Sequence, residues 1–309
     1  MFSSITQPKY PNAAIGIESN VVSAVALSGG RRGYSVKQAG SLELPAGLVT
    51  PSFLGVNIND HLEFAGCLRE VTEISGLLRQ KRWSVALPSN TARTAILTLD
   101  SEPASKTEAE EVLDWKAEQN FGAPAAELRI ARQKISPDKE GRSRYFATAV
   151  RLAVIDEYES HFEALGWKAG LVLPWAVGEA NWLMDRQDHS DSLLISGNSD
   201  GFIALLLRGT EPSVVRSVTC QQSEVDDEIY RLVMFYNDRF GTPGGNALLE
   251  RLLVLGRTLV SSKVQAIASE ALGRSLPVLT HDDVGLSIPS GSFSFDDLAA
   301  PAGLAALGA

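Results

Sequence analysis

Apolar and polar positions alternate along the chain so that two similar units head two halves. In the first, Ala13–Ile17 is apolar, Glu18–Asn20 polar and Val21–Leu27 apolar; a glycine-rich turn at Ser28–Gly33 leads on to Tyr34–Leu42. In the second, the apolar runs Leu193–Ile195 and Phe202–Leu207 flank the turn-rich Ser196–Gly201, and Val214–Val218 follows a turn at Arg208–Pro212. Short apolar runs separated by turn residues predict antiparallel strands joined tightly. Two strand–turn–strand–turn–strand units predict a duplicated architecture with a crevice between its halves.

Helical periodicity fills the intervals. A helix is expected from Asn59, Asp60 or His61, with Leu62, Ala65, Leu68, Val71 and Ile74 as its apolar stripe; Gly76 either ends it or is carried at a local cost. Trp83–Leu87 and Ala95–Leu99 read as strands. Ser105 and Glu108 have the spacing of a capping box and open an acidic helix that stops at Phe121-Gly122-Ala123-Pro124. Its inward side is read as Ala109, Val112, Trp115 and Ala117 or Gln119. Strands over Leu128–Ile135 and Tyr145–Leu152 follow, across a polar loop. The segment 88–150 therefore predicts a small α/β subdomain inserted into the first half. A helix from Asp156 to Gly166, a strand over Trp167–Leu173 and a helix ending near Met184 complete that half. The polar run Asp185–Asp191 is the expected boundary, giving a first lobe over 13–187 and a second over 188–309.

In the second half a helix is expected over Ser223–Phe240, with Val225, Ile229, Leu232, Val233 and Phe235 or Tyr236 inward. A turn at Gly241–Asn246 precedes Leu248–Leu255, read as a strand although a helix also fits. Val264–Leu272 is helical, Val278–Leu279 a brief strand, Asp282–Pro289 a loop, and Asp296–Leu307 an alanine-rich helix interrupted at Pro301.

Composition narrows the function classes. A length of 309 residues allows one large or two medium domains. The formal net charge of -9 argues against a nucleic-acid partner, whose phosphates want a basic stripe. Cys67 and Cys220 are the only cysteines and read as buried thiols in a reducing compartment. Neither a secretory signal nor an apolar run near twenty residues is evident, so no direct membrane span is expected. His61, His161, His189 and His281 lack ligand spacing, so no metal site is expected, and no catalytic residue stands out. Gly29-Gly30 with Arg31 and Arg32 reads as a tight turn with a solvated basic tip in preference to an anion cradle.

If the crevice holds a nucleotide, the turns Glu18-Ser19-Asn20 and Ser196-Gly197-Asn198 are where backbone N–H groups would meet phosphate, with Glu18 available to Mg²⁺. The acidic helix reads as a solvated face or, functionally, as a docking surface. Trp115, Glu118, Phe121 and Tyr145 are its candidate contacts, the aromatic ones as interface anchors.

Three stretches carry a family resemblance: Leu113-Asp114-Trp115-Lys116-Ala117-Glu118-Gln119-Asn120-Phe121, the helix–glycine–strand segment Tyr158–Ala176, and Glu228–Phe240 with Arg231, Phe235 and Tyr236. In this order they resemble the PilM family of pilus-assembly proteins, within the actin/sugar-kinase/Hsp70 ATPase superfamily. The resemblance implies an α/β actin-like fold of two duplicated lobes with an inserted small α/β subdomain. It also implies a cytoplasmic protein that binds the N-terminal tail of the inner-membrane protein PilN in a groove formed with the insert. It would thereby join other proteins of a pilus or secretion platform, at the membrane only through that partner. Homo-oligomerisation is left open.

The resemblance also implies an ATP site, and here the sequence departs from the pattern. Gly16-Ile17-Glu18-Ser19-Asn20 lacks the Asp and Gly of the family's first phosphate loop, and the downstream Lys is missing. Ser196-Gly197-Asn198 stands for Asp-x-Gly, and Leu253-Val254-Leu255-Gly256-Arg257 keeps one glycine of two. A side chain replacing glycine at a phosphate approach takes up the space the phosphate needs. Losing these groups together predicts a degenerate crevice, with no cofactor, in a scaffold; Glu18, Ser19, Asn20, Ser196, Gly197, Asn198 and Gly256 would line it if ATP and Mg were retained. The alternative is an active Mg-dependent actin-like ATPase or small-molecule kinase.

Overall fold

The computed structural model describes residues 9–30, 33–184, 190–240, 249–289 and 293–309. The first unit forms β1 (Ala13–Ile17), β2 (Val21–Gly30) and β3 (Gly33–Glu43), an antiparallel meander. β4 (Arg82–Leu87) pairs parallel with β1, and β8 (Lys168–Pro174) parallel with β4. The second unit repeats the plan: β9 (Asp191–Asn198), β10 (Gly201–Arg208) and β11 (Glu211–Thr219) form a meander, and β12 (Leu249–Leu255) pairs parallel with β9. The order meander edge, middle, first strand, parallel strand is the same in both sheets. Strands buried on both faces need continuous apolar runs, which is why Leu193–Ile195 and Leu252–Leu255 lack alternation.

The 88–150 segment forms its own sheet, β5 (Arg93–Thr98), β7 (Arg144–Arg151) and β6 (Leu128–Ile135), with α2 (Lys106–Phe121) against it. The Ser105 hydroxyl accepts from Glu108 N at 3.1 Å, while the Glu108 carboxylate accepts from Ala104 N at 2.6 Å, one residue earlier than a strict capping box. The buried face of α2 is Leu113, Ala117 and Phe121; Trp115, read from the sequence as inward, is 54% exposed. The stripe of α1 (His61–Ile74) also differs from expectation: Phe64, Cys67, Leu68, Val71 and Thr72 are buried, and Leu62 and Ile74 face solvent.

α1 and α3 (Leu152–Ala164) cover the outer face of the first sheet, and α5 (Val225–Phe240) with α6 (Ser261–Leu272) the outer face of the second. Between the sheets lie α4 (Trp175–Met184) and α7 (Phe295–Ala306). A helix apolar all round is a buried one, and α7 is buried from Asp297 to Ala306. Its Pro301 does not interrupt it, contrary to expectation. The hydrogen bond that proline cannot give to the carbonyl of Asp297 is replaced by the Ser23 hydroxyl, which donates to that oxygen at 2.8 Å.

The final segment corrects two further expectations. Within the predicted loop, β13 (Leu286–Ser287) pairs parallel with β3, and Val278 makes only a single bridge to Leu252. The chain after 188 therefore does not stay with the second sheet, since β13 joins the first sheet and α7 packs on β1 and β2. The expected boundary at 185–191 and the turn at 241–246 fall mainly or wholly outside the described residues, as do Arg31 and Arg32 of the basic tip. Of the two thiols, Cys67 is buried and Cys220 half-buried, and both are free.

Candidate functional site

The crevice between the two sheets is where the superfamily resemblance implies a nucleotide, and its groups are committed to one another. At the β1–β2 turn, Glu18 accepts from the Ser89 amide at 2.8 Å, from the Ser89 hydroxyl at 2.6 Å and from Ser19 N at 3.3 Å. Its carboxylate thus ties the β1–β2 turn to the segment after β4. Burial raises its pKa against the pull of those donors. Asn20 uses its carbonyl to hold Leu44 N at 2.9 Å. Directly beside the turn, a Cβ on Gly16 would stand 2.9 Å from Pro301, so α7 closes on this strand.

The second hairpin is filled from its own lobe. A Cβ on Gly197 would lie 2.5 Å from the Thr258 hydroxyl and 2.7 Å from Leu259, and one on Gly256 (φ 102°) 2.5 Å from the Gly197 carbonyl. Both glycines serve a close backbone approach inside the protein. Asn198 accepts from Asp200 N at 2.9 Å, and Asp200 accepts from Asn90 Nδ2 at 2.7 Å, linking the β9–β10 turn to the segment after β4. Deeper in, Gly256 N donates to Asp296 at 2.9 Å. Arg257 makes a two-pronged pair with Asp297, 2.8 Å on each oxygen, and reaches Glu43 at 3.4 Å. The loop after β12 is thereby stapled to α7 and to β3.

Glu179 on α4 is fully buried in the same interior. Trp175 Nε1 donates to its Oε1 at 2.8 Å, while among the described residues neither Oε2 nor the buried Ser196 hydroxyl has a hydrogen-bond partner. Burial pushes its pKa up to about 8; Ser196 and Trp175 pull the other way, and the carboxylates of Glu18 and Asp296 add to the rise.

These residues do not fit Mg·ATP. The carboxylate offered to the metal is spent on Ser89, the glycine positions are occupied by neighbouring atoms, and the arginine that faces the crevice is neutralised by Asp297. The staple has a measurable consequence. Arg257→Ala leaves the buried Asp297 carboxylate without its cation, and the pair is intermediate between a surface and a fully buried one. The expected loss is about 2–3 kcal/mol in urea unfolding; a change below about 0.5 kcal/mol contradicts a structural role.

The structure separates the four insert residues expected at an interface. Phe121 is buried in the insert core, which removes it as a contact, and Tyr145 packs half-buried against that core. Glu118 accepts from Ala125 N at 2.8 Å, holding the turn after α2. Trp115 alone of the four presents an open aromatic surface, with Lys116 Nζ 5.5 Å from its ring centroid.

A groove that the sequence did not show lies at the base of the insert. Its cavity of about 690 Å³ runs between α1, α3 and the loop 54–56. Around it Leu54, Val56 and Leu62 are 65%, 71% and 87% exposed. The loop is held from below. Buried Asn57 accepts from Ser52 N at 2.8 Å and Thr91 Oγ1 at 2.9 Å, and Glu157 accepts from the amides of Asn57 and Ile58, both at 2.9 Å. Phe53 joins the insert core, with Arg93 stacked 4.3 Å from its ring centroid. On one wall His61 Nδ1 and His161 Nε2 lie 2.9 Å apart; burial, then His61, lowers the pKa of His161 while Glu157 opposes. Asn57 and Glu157 were legible only as polar residues in a loop and on a helix; their joint role depends on positions a hundred residues apart.

No protein-family model and no curated protein matches the sequence. Among solved structures, a chain of a PilM–PilN type IV pilus biogenesis complex is similar at TM-score 0.77 and 16% identity, covering 97% of this chain and 99% of that one. A protein with actin-like ATPase fold from Bacteroides thetaiotaomicron gives TM-score 0.49 at 12% identity, covering 97% and 98%. The cytoplasmic domain of EpsL, an inner-membrane component of the type II secretion system of Vibrio cholerae, gives 0.46 at 13%, covering 91% and 86%. Only the first is strong enough to support an argument, and at that identity it speaks for the fold. The chain has the α/β actin-like ATPase fold, in the form seen in that pilus complex.

Proposed function

We propose that the protein is a cytoplasmic adaptor of a type IV pilus or related inner-membrane platform. Its groove beneath the insert takes the tail of a PilN-like membrane protein, and its crevice works without ATP. The observation that carries this reading is the set of three exposed apolar side chains, Leu54, Val56 and Leu62, around a groove whose loop backbone is fixed by Asn57 and Glu157. A contiguous exposed apolar surface marks a docking site, and a preformed groove binds a flexible tail at lower ordering cost. The similarity to the PilM–PilN complex supports the choice of partner. Among the described residues no helix is long and apolar enough to cross a membrane, and on this reading the tail supplies the membrane attachment. We take 13–184 as one lobe with 88–150 inserted, the second lobe ending before the returning strand β13.

The test is fluorescence anisotropy with an N-terminal tail peptide of a PilN protein. Leu62→Asp and Val56→Asp are each expected to weaken binding tenfold or more, equivalent to about 1.4 kcal/mol. Trp115→Ala and Mg·ATP are expected to leave it unchanged. Absence of binding, or binding indifferent to both groove variants, contradicts the reading.

A further inference from the structure

A second cleft, of about 1030 Å³, opens on another side of the insert, between its β5 strand and 136–144 hairpin and the edge of the second sheet. The insert is fixed to that edge: Ser136 N donates to Glu211 at 2.9 Å, and Arg144 reaches the Ser213 carbonyl at 3.3 Å. The cleft is basic in a protein of net charge -9. Its four carboxylates are all engaged. Asp138 and Glu140 pair with Arg142, Asp191 pairs with Arg208 and accepts from Tyr236, and Glu211 holds Ser136 N. Lys139, Arg144, Arg216 and Arg239 line the same cleft with no carboxylate partner among the described residues.

The arginines are ordered by aromatic rings. Arg216 lies 4.6 Å from the centroid of Phe235, Arg239 lies 5.9 Å from both Phe235 and Phe240, and Arg208 lies 5.2 Å from Phe240. Stacking on a ring face holds a guanidinium in place and leaves its N–H edge free for a carboxylate. The unpaired cations come from four separate places: the hairpin, β7, β11 and α5. They stand on both walls of the cleft, Lys139 and Arg144 on the insert, Arg216 and Arg239 (which share the Phe235 ring) on the second lobe. An extended polyanion with spaced charges fits such a layout better than a compact phosphate.

We propose that this cleft docks an acidic segment of a second partner protein, with Arg216 and Arg239 as its principal contacts. The site is separate from the tail groove and does not depend on that reading.

The experiment uses the full chain and a fluorescein-labelled glutamate-rich dodecapeptide, read by anisotropy in 50 and 300 mM NaCl. Binding at 50 mM salt is expected, falling tenfold or more at 300 mM as charge pairing is screened. The Arg216→Glu/Arg239→Glu double variant is expected to bind at least tenfold more weakly with an unchanged melting temperature, since both side chains are exposed. Arg79→Glu/Lys81→Glu carries the same charge change on the first lobe and is expected to bind as the wild type does. No binding, or an equal loss in both double variants, overturns the proposal. So does displacement of the peptide by inorganic tripolyphosphate at a lower concentration than by unlabelled peptide, which would make this a phosphate site. Binding of the PilN tail peptide is expected to survive the Arg216→Glu/Arg239→Glu change, so the two sites fail or stand independently.

Discussion

The wild-type protein is expected to lose stability between about pH 5 and pH 8, and glutamine at position 179 is expected to abolish much of that fall. Glu179 is buried beside Trp175 and Ser196, with the carboxylates of Glu18 and Asp296 contributing to its field, and its pKa is raised from 4.5 to about 8. In this window the folded chain keeps a proton that the unfolded chain releases, so stability drops as pH rises. The contribution is complete below pH 4.5 and gone above about pH 8. At 1.36 kcal/mol per pKa unit the ceiling is roughly 5 kcal/mol. Glutamine keeps an oxygen for Trp175 Nε1 and has nothing to ionise. Urea midpoints from pH 5 to pH 9 should therefore diverge, the variant gaining on the wild type until about pH 8 and holding its lead beyond. Parallel curves would mean that Glu179 is solvated in the folded protein.

Two glycines inside helices are expected to respond to alanine in opposite directions. At Gly303 on α7 an added Cβ would lie 1.9 Å from the carbonyl oxygen of Gly178 on α4. The helices touch backbone to backbone there, and Trp182 Nε1 donates to the Ala299 carbonyl at 2.7 Å beside the contact. Gly303→Ala forces them apart and opens the layer between the sheets, at an expected cost of about 3 kcal/mol. Gly66 on α1 is exposed and has nothing within 4 Å of an added Cβ. Gly66→Ala should stabilise by about 0.5–1 kcal/mol, because alanine loses less backbone freedom on folding. Denaturant unfolding of both variants decides the matter; a neutral Gly303→Ala would show that α4 and α7 are not in backbone contact.

What was legible in the sequence follows from what is local. The strands of both meanders and the helices between them announce themselves by apolar runs and turn residues, because those signals act over a few positions. The register of the helical faces was read less well. Steps of three along α1, from Leu62 to Ile74, rotate steadily away from one side of a helix with 3.6 residues per turn. The buried face instead uses Phe64, Cys67, Leu68 and Val71. The same drift put Trp115 inward on α2, where it is exposed.

The departures from the resembling family's phosphate-loop pattern were visible as residue types, but not what those positions bond to in this chain. Arg257 meets Asp297 forty positions away, Glu18 meets Ser89, and Asn90 meets Asp200. None of these pairs has a signature in local spacing. A lone carboxylate in the apolar helix Trp-Ala-Val-Gly-Glu-Ala-Asn-Trp was a visible signal for Glu179, since an unpaired buried carboxyl is costly unless it takes up a proton. The return of β13 and α7 to the first sheet had no such signal, because an alanine-rich buried helix suits either lobe equally.

Side chains of the crevice bond to one another, Glu18 to Ser89, Asn90 to Asp200 and Arg257 to Asp297, and on the proposed reading the crevice takes no triphosphate. Calorimetric titration of Mg·ATP into the full chain, up to millimolar nucleotide, tests this most directly. The expected result is no binding heat and no shift in melting temperature. Saturable binding with a one-to-one stoichiometry, lost in Glu18→Ala, would contradict it.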